Sequence, residues 1–267
     1  MDRAEMADAL RDSVPSARAS ATSVDAAEVA RFAALAGEWW NPDGNMRPLH
    51  RLNPVRIAYL RDRIAAHFGR AALGDRPLTG LRIVDIGCGG GLLSEPMARL
   101  GATVSGIDAA EPSIAVARTH AAAGGLAIDY RCTTVETLAA SGAQFDVVLN
   151  MEVVEHVADR DAFLDAAATL VAPGGLTAIS TLNRTTKAWL LAIVGGEYVL
   201  RWLPRGTHDW HKFVRPSEIA AAFRRNGLTL TDLSGVVYDP LGDRWRLSTS
   251  DLDVNYMAMA ARPVAPE

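Results

Sequence analysis

Two carboxylates and one imidazole lie close together in residues 150–156. Glu152, Glu155 and His156 are spaced at i, i+3 and i+4, so a helix beginning there would carry all three on one face. The mostly apolar residues 145–150 before them predict a strand, which places the three side chains at the mouth of a cleft. Carboxylate oxygens suit Mg²⁺, which keeps several waters and accepts substrate oxygens. We therefore predict that these three residues are catalytic and bind a metal that acidifies a substrate hydroxyl.

Two simpler interpretations of the same side chains remain open. Acidic residues in the first turn of a helix interact favourably with the helix dipole, and this requires no metal. Alternatively, His156 acts alone as a general base, because imidazole titrates near working pH. In either catalytic interpretation His156 belongs to the site.

A glycine-rich turn follows an earlier predicted strand, residues 81–86. Glycines occupy positions 87, 89, 90 and 91, and their missing Cβ atoms would let a ligand lie against the backbone. A second predicted strand, 103–107, leads to Asp108, whose carboxylate is placed to accept both hydroxyls of a ribose. The pattern predicts a nucleoside-binding site that includes Gly87, Gly89 and Asp108.

Several kinds of nucleotide site begin with a strand, a glycine turn and a helix. A dinucleotide-binding turn has a glycine for close helix packing at the position where this chain has Leu92. That residue disfavours a nicotinamide-dependent oxidoreductase. A tight turn that binds nothing is the structural alternative, and the acidic strand end argues against it.

Strands and helices alternate through the rest of the chain. The predicted strands cover residues 81–86, 103–107, 126–132, 145–150, 176–181, 228–238 and 253–261. This alternation predicts a Rossmann-like, doubly wound α/β sheet of seven mostly parallel strands. Ligands of such sheets lie beyond the carboxyl ends of the strands. We therefore expect five parts of the chain to lie close together at that edge of the sheet: Gly87, Asp108, and residues 133–136, 150–156 and 181–184.

Sequence outside this pattern defines the expected domain boundaries. Residues 1–24 are rich in Ala, Ser, Arg and Asp and have no apolar core, which predicts a disordered tail and no secretory signal. Residues 25–78 show helical periodicity with a break at 41–44, which predicts a helical cap. We expect residues 25–267 to form one domain, with an insertion at 183–212.

Composition restricts the class of partner. The 267 residues are 22% charged and 49% hydrophobic, which is typical of a globular protein with one large core. A formal net charge of −4 gives no basic field for nucleic acid, so a small-molecule substrate is favoured. The two cysteines have no metal or redox spacing, in keeping with a reducing cytoplasm.

The glycine turn resembles that of the class I methyltransferase family. The resemblance rests on the spacing of Gly87, Gly89 and Gly91, on Asp85 near the strand end, and on the Pro-Gly-Gly run at 173–175. It implies S-adenosylmethionine as the cofactor and one antiparallel strand at the sheet edge. The chain departs from many members after the third strand, where residues 133–136 read Thr-Thr-Val-Glu.

More specific segments resemble the ubiquinone-biosynthesis O-methyltransferase family over about residues 25–260. These segments are residues 38–56, 151–157, 180–184, 206–209 and 253–257. The resemblance implies methylation of two phenolic hydroxyls, one on a polyprenyl catechol and one on the later 3-demethylubiquinol. It implies cofactor contacts at Arg56, Gly87, Asp108 and Met151, and metal positions at Glu152, Glu155 and His156. A class I enzyme for another small phenol or catechol is the alternative.

The insertion at 183–212 carries apolar side chains between cationic ends. Its apolar residues are Trp189, Leu190, Leu191, Ile193, Val199, Leu200, Trp202 and Leu203, flanked by Lys187 and Lys212 among others. This pattern suits an anionic membrane surface, where a polyprenyl tail would reside, although the run is too short to span. A lid helix over the site, or a binding-only membrane protein, remains open. We expect a cytoplasmic protein at the inner membrane, with other ubiquinone-biosynthesis proteins as candidate partners.

Overall fold

The computed structural model describes residues 22–191, 209–239, 242 and 244–264. Eight strands form one sheet in the order β3-β2-β1-β4-β5-β8-β6-β7. The strands are β1 Arg82–Ile86, β2 Thr103–Asp108, β3 Asp129–Cys132, β4 Phe145–Met151, β5 Val171–Leu182, β6 Thr229–Asp239, β7 Arg244–Ser248 and β8 Asn255–Ala261. The longer helices are α1 Ala26–Ala34, α2 Arg47–His67, α3 Ser94–Arg99, α4 Glu111–Ala123, α5 Val135–Ala140, α6 Arg160–Thr169 and α7 Pro216–Arg225.

The pairing of the strands confirms the predicted doubly wound sheet. β3, β2, β1, β4 and β5 pair in parallel, whereas β8 is antiparallel to both β5 and β6. The structure adds an eighth strand to the predicted seven, because β7 pairs with β6 in an antiparallel hairpin at the sheet edge. The sequence gives little indication of this strand because its arginines, Arg244 and Arg246, are exposed.

Two apolar clusters on the two faces of the sheet hold the helices in place. Alternate residues of β1 divide between them: Val84 and Ile86 pack in the cluster that contains Phe163 of α6, and Ile83 packs in the cluster with Leu60 of α2. Parallel strands covered on both faces are expected to be apolar throughout their length. The arrangement fixes the carboxyl ends of β1, β2 and β4 at one edge of the sheet.

In the region of the predicted cap the chain forms α1, a 3-10 turn at Ala36–Glu38, and α2, and residues 41–44 lie between the turn and α2. Asp25 caps α1, because its side chain accepts hydrogen bonds from the N–H groups of Ala27 and Glu28. Helix α1 contains no fully buried residue. Partly buried side chains along the helix hold it in place: Phe32 packs against the cluster that contains Trp39, and Glu28 lies 3.1 Å from His156.

Ser23 packs against the domain, although the sequence predicts that residues up to 24 belong to a tail. Ser23 is 1% exposed, its N–H donates to Glu136 Oε1 at 2.9 Å, and its carbonyl accepts from the N–H of Ala158 at 2.7 Å. The predicted disordered tail is thus corrected at its end, and residues 1–21 lie outside the described residues. Residues 192–208 of the predicted insertion also lie outside them. Within the described ranges, no helix is both long and apolar enough to cross a bilayer.

Candidate active site

A cavity of about 1060 Å³ opens at the carboxyl ends of the parallel strands, beneath the cap. Ligand cavities typically measure about 300–1,000 Å³, so this one has room for a nucleoside and a second molecule. Every predicted site residue except Gly89 lines it: Arg56, Gly87, Asp108, Met151, Glu152, Glu155 and His156. Residues 133–136 line it too, as predicted, whereas Arg184 does not and instead forms an ion pair with Glu218.

Asp108 ends β2 and holds the glycine turn in place. Its Oδ2 accepts a hydrogen bond from the N–H of Gly89 at 2.9 Å, and its Oδ1 accepts one from the N–H of Ala110 at 2.8 Å. Burial raises the pKa of this carboxyl, against the effect of the backbone hydrogen bonds. A carboxylate oxygen has two acceptor positions, so each oxygen can still accept a hydroxyl from a ligand in the cavity.

The glycines of the turn make room for protein side chains, which differs from the prediction. A Cβ atom on Gly89 would lie 2.3 Å from the ring of Trp39, and one on Gly90 would lie 2.4 Å from it. Gly89 also adopts a φ of +54°, which favours glycine. Trp39 is fixed by a hydrogen bond from its Nε1 to Ser113 Oγ at 3.0 Å. The prediction of direct ligand contact at Gly89 is therefore corrected, since Trp39 covers it and itself lines the cavity.

Arg56 is a buried cation with spare donors. It lies on α2, is 4% exposed, and donates from Nη2 to Asn53 Oδ1 at 2.6 Å, while its Nε has no hydrogen-bond partner among the described residues. Burial lowers its pKa, and the charges of Glu152 and Asp85 act in the opposite direction. A buried guanidinium with an unused N–H is suited to a carboxylate of a bound ligand.

Asp85 is a second buried carboxyl at the strand ends. Its Oδ2 accepts a hydrogen bond from Ser94 Oγ at 2.6 Å. Burial raises the pKa of Asp85 to about 6, against the effects of Ser94 and Arg56. Asp85 therefore links β1 to α3 directly beneath the cavity.

Glu152 turns the chain where β4 ends. Its φ is +59°, the one left-handed backbone of a residue other than glycine in the described ranges, and such a conformation costs about 1–3 kcal/mol. Hydrogen bonds hold Glu152 in this conformation. Its N–H donates to the Ser180 carbonyl at 3.0 Å, and Ser180 Oγ donates to its Oε1 at 2.6 Å. Asn255 Nδ2 lies 3.3 Å from its Oε2. The predicted helix from Glu152 is wrong, because a 3-10 turn at Val154–His156 takes its place.

Glu155 lies behind Glu152 in the protein interior. It is 4% exposed and its Oε2 accepts a hydrogen bond from Thr181 Oγ1 at 2.9 Å. Burial, together with the neighbouring Glu152 charge, raises the pKa of Glu155 to about 7. The Glu155 carboxyl therefore keeps its proton to a higher pH than an exposed glutamate does.

The His156 imidazole contacts the cap helix α1. Its Nδ1 lies 3.1 Å from Glu28 Oε2 on α1, and its ring packs edge-on against Phe32 at 5.2 Å between centroids. Sequence spacing could not identify Glu28, which is 128 residues distant. Among the described residues, no group of three His, Cys, Asp or Glu side chains is arranged to hold a metal ion. Glu152, Glu155 and His156 therefore do not form the converging donor set that the helical spacing predicted.

Curated relatives match nearly the whole chain. A ubiquinone biosynthesis O-methyltransferase of Chelativorans sp. (strain BNC1) is 60% identical over 91% of this chain and 96% of its own length. One of Parvibaculum lavamentivorans is 59% identical over 92% of this chain and 96% of its own length. Residues 56–233 match the family described as a methyltransferase domain. The family model spans β1 to β5 and the site residues Arg56, Asp108 and His156.

Solved structures share the fold. Magnesium protoporphyrin IX methyltransferase from Synechocystis PCC 6803, crystallised with bound SAM, is similar with a TM-score of 0.57 and 17% identity over 88% of this chain and 97% of that one. The N-methyltransferase NodS from Bradyrhizobium japonicum WM9, in complex with S-adenosyl-l-homocysteine, is similar with a TM-score of 0.57 and 16% identity. The match covers 89% of this chain and 97% of that one. At these identities the likeness concerns the fold alone.

Proposed function

Because the chain belongs to the ubiquinone biosynthesis O-methyltransferase family, we propose that it methylates phenolic hydroxyls of catechol-type polyprenyl intermediates at two steps of ubiquinone biosynthesis. The observation that carries the proposal is one cavity that contains both Asp108, suited to a ribose, and His156, suited to a phenol proton. Apolar cap side chains roof this cavity, which suits a lipophilic acceptor.

S-adenosylmethionine is the cofactor of this methyltransferase fold. When bound, it supplies a methyl group on a positively charged sulfur, which is already strongly electrophilic. We assign its ribose to Asp108, its carboxylate to Arg56 and one face of its adenine to Met151, which is 7% exposed at the end of β4. Gly87, with a φ of +68°, turns the chain so that its backbone lines the same end of the cavity.

In the proposed reaction the protein aligns the acceptor and removes one proton. His156 Nε2 takes the proton of the phenol, and the resulting phenolate oxygen attacks the methyl carbon in line with the bond to sulfur. That bond breaks with its electron pair on sulfur, so the products are a methyl ether, the neutral thioether and a protonated His156. Glu152 and Glu155 line the same cavity as His156.

The first test of this function is transfer of labelled methyl from S-adenosylmethionine to a short-tail polyprenyl catechol, with and without a chelator. Methylated product in both conditions supports the proposal with His156 as the base. Product that is lost on chelation and restored by Mg²⁺ supports the methyl transfer and overturns the metal-free base. Methylation only of phenols without a tail contradicts the polyprenyl substrate.

We further propose that the protein is cytoplasmic and contacts the inner membrane peripherally, where ubiquinone-biosynthesis partners would also meet it. Trp189, Leu190 and Leu191 are consecutive and 44%, 52% and 51% exposed. Exposed aromatic and aliphatic side chains of this kind favour the membrane interface. Lys187 contributes less, because it is paired with Asp251, at 3.0 Å, and with another carboxylate.

Cosedimentation with anionic liposomes tests the membrane contact. We expect Trp189→Ser to reduce the bound fraction, because an interfacial tryptophan is lost. Leu247→Ser is the matched control, since Leu247 is 40% exposed on the edge strand β7. Equal binding by wild type and Trp189→Ser would contradict the assignment of this segment to the membrane.

A further inference from the structure

The imidazole that faces the cavity is held by a carboxylate from a distant part of the chain. His156 Nδ1 lies 3.1 Å from Glu28 Oε2, and both side chains are largely covered, at 16% and 21% exposure. Glu28 belongs to α1, whose first turn is fixed by Asp25, and Asp25 in turn pairs with Lys212 at 2.9 Å. The contact therefore joins the cap to the loop after β4, across the mouth of the cavity.

The partner of Nδ1 determines which ring nitrogen carries the proton in neutral His156. Arg31 Nη2 lies 2.5 Å from Glu28 Oε2, so this carboxylate also accepts a charged donor. Burial acts to raise the pKa of Glu28, but the hydrogen bond and charge of His156, with the charges of Arg31 and Lys212, outweigh it, and the net shift is downward. Arg31 Nη2 also lies 3.4 Å from Nδ1, but the Glu28 oxygen is nearer, at 3.1 Å. Because an ionised carboxylate only accepts hydrogen bonds, Nδ1 carries the hydrogen when it bonds to Glu28.

This arrangement leaves Nε2 as the basic nitrogen of the neutral ring. Because Nδ1 is held against α1, Nε2 is the ring nitrogen available to a ligand in the cavity. The edge-on contact with Phe32, also on α1, restricts rotation of the imidazole. A base oriented by a carboxylate on its other nitrogen is a recurring solution in proton-transfer sites.

We propose that Glu28 is a positioning residue for His156: it fixes the ring orientation and the proton on Nδ1, so that Nε2 meets the phenol of the acceptor. This inference rests on the proposed function, in which His156 removes the phenol proton. Glu28 itself touches neither reacting atom. Since it is carried by α1, the base is complete only when the cap helix is in place over the cavity.

Three variants test the proposal. Glu28→Ala removes the acceptor on Nδ1, and we expect kcat to fall by about 10-fold to 100-fold, part of the 10²–10⁴ that general-base catalysis supplies, with the KM for S-adenosylmethionine nearly unchanged. Glu28→Gln keeps a neutral acceptor for Nδ1–H and restores part of kcat. Asp25→Asn is the matched control: it weakens the pairing of α1 with Lys212 but keeps the cap acceptor, and its kcat stays within about twofold of wild type.

Nitrogen-15 NMR of the histidine side chains gives a readout that does not depend on turnover. In the wild-type protein the neutral His156 ring should carry its proton on Nδ1, and in Glu28→Ala this preference should be lost. The signal is assigned by its absence from His156→Gln. A mere structural role of Glu28 in seating α1 would not change the tautomer.

Three results would overturn the proposal. They are an unchanged kcat in Glu28→Ala, an equal loss in Asp25→Asn, and a His156 tautomer that is the same with and without Glu28. Each is distinguishable from failure of the proposed function, which would appear as absence of methylated product with the wild-type protein. In that event the NMR experiment still decides whether Glu28 sets the state of His156.

Discussion

Replacing Asp108 by alanine tests the nucleoside end of the cavity most directly. The carboxylate has two roles that the structure separates: it accepts hydrogen bonds from the N–H groups of Gly89 and Ala110, and it has acceptor positions left for a ribose. Alanine abolishes both roles. Asparagine keeps one oxygen, so it retains part of the support for the turn.

The expected magnitude follows from the hydrogen bonds that are lost. Hydrogen bonds to a charged group contribute about 1.5–3 kcal/mol each when they are well formed. Water can reach an open cavity and replaces part of this, so we expect Asp108→Ala to weaken cofactor binding by on the order of 1–3 kcal/mol, or about 5-fold to 150-fold. The two backbone N–H groups that lose their acceptor also lower the free energy of unfolding.

Isothermal titration calorimetry with S-adenosylhomocysteine measures the effect without turnover, and thermal unfolding shows whether the variant is folded. Asp146→Ala is the control, because Asp146 accepts a hydrogen bond from the N–H of Arg82 at 2.7 Å at the amino ends of the strands, away from the cavity. A folded Asp108→Ala protein whose Kd is within about twofold of wild type would refute the assignment of ribose to Asp108.

Two further predictions concern buried charges. Arg56→Met should weaken binding of S-adenosylhomocysteine by about 10-fold or more, because charge-assisted hydrogen bonds to the ligand carboxylate are lost. Arg63→Met, on the same helix, is the control and should bind the ligand as wild type does. Equal affinities of Arg56→Met and wild type in calorimetry would contradict the prediction. The pKa of Glu155 is raised from 4.5 to about 7, so the stability it contributes is full below pH 4.5 and is lost as the pH rises through about 7. The free energy of unfolding of the wild-type protein should therefore fall by about 3 kcal/mol as the pH rises from 4.5 to about 7. The Glu155→Gln variant should not show this fall. Urea unfolding between pH 4.5 and 8 measures it, and a persisting decline would show that another group is responsible.

The sequence predicts those parts of the fold that depend on local patterns. The apolar β1 strand, the glycine turn and Asp108 follow one another with a spacing that determines their geometry, and the structure brings Gly87 and Asp108 to one cavity. The edge strand β7 is not predictable in this way. Long-range contacts distinguish it from a polar loop: it pairs with β6, and its Trp245 packs against the cluster that contains Leu60 of α2.

In the candidate site, too, local sequence patterns do not predict geometry that depends on long-range contacts. The spacing of Glu152, Glu155 and His156 fits a helix, but Ser180 and Asn255, on β5 and β8, hold Glu152 in a left-handed conformation that ends the strand. Residues far away in the chain thus decide the local backbone. Likewise, the glycines that suggest room for a ligand accommodate Trp39, whose position depends on how the cap folds back over the turn.

The contacts of α1 have a thermodynamic consequence for the whole N-terminal segment. This helix buries no residue fully: its apolar side chains Val29 and Phe32 line the cavity, and Phe32 also packs, partly buried, against the cluster that contains Trp39. Segments with so little buried surface are the first to open locally. A ligand that requires the closed helix stabilises it by about 2.7 kcal/mol when its concentration is a hundred times its Kd. Cleavage of this segment by a protease should slow as the ligand-bound fraction of the protein rises. The lifetime of the segment in protease therefore reports how much of the protein carries the ligand.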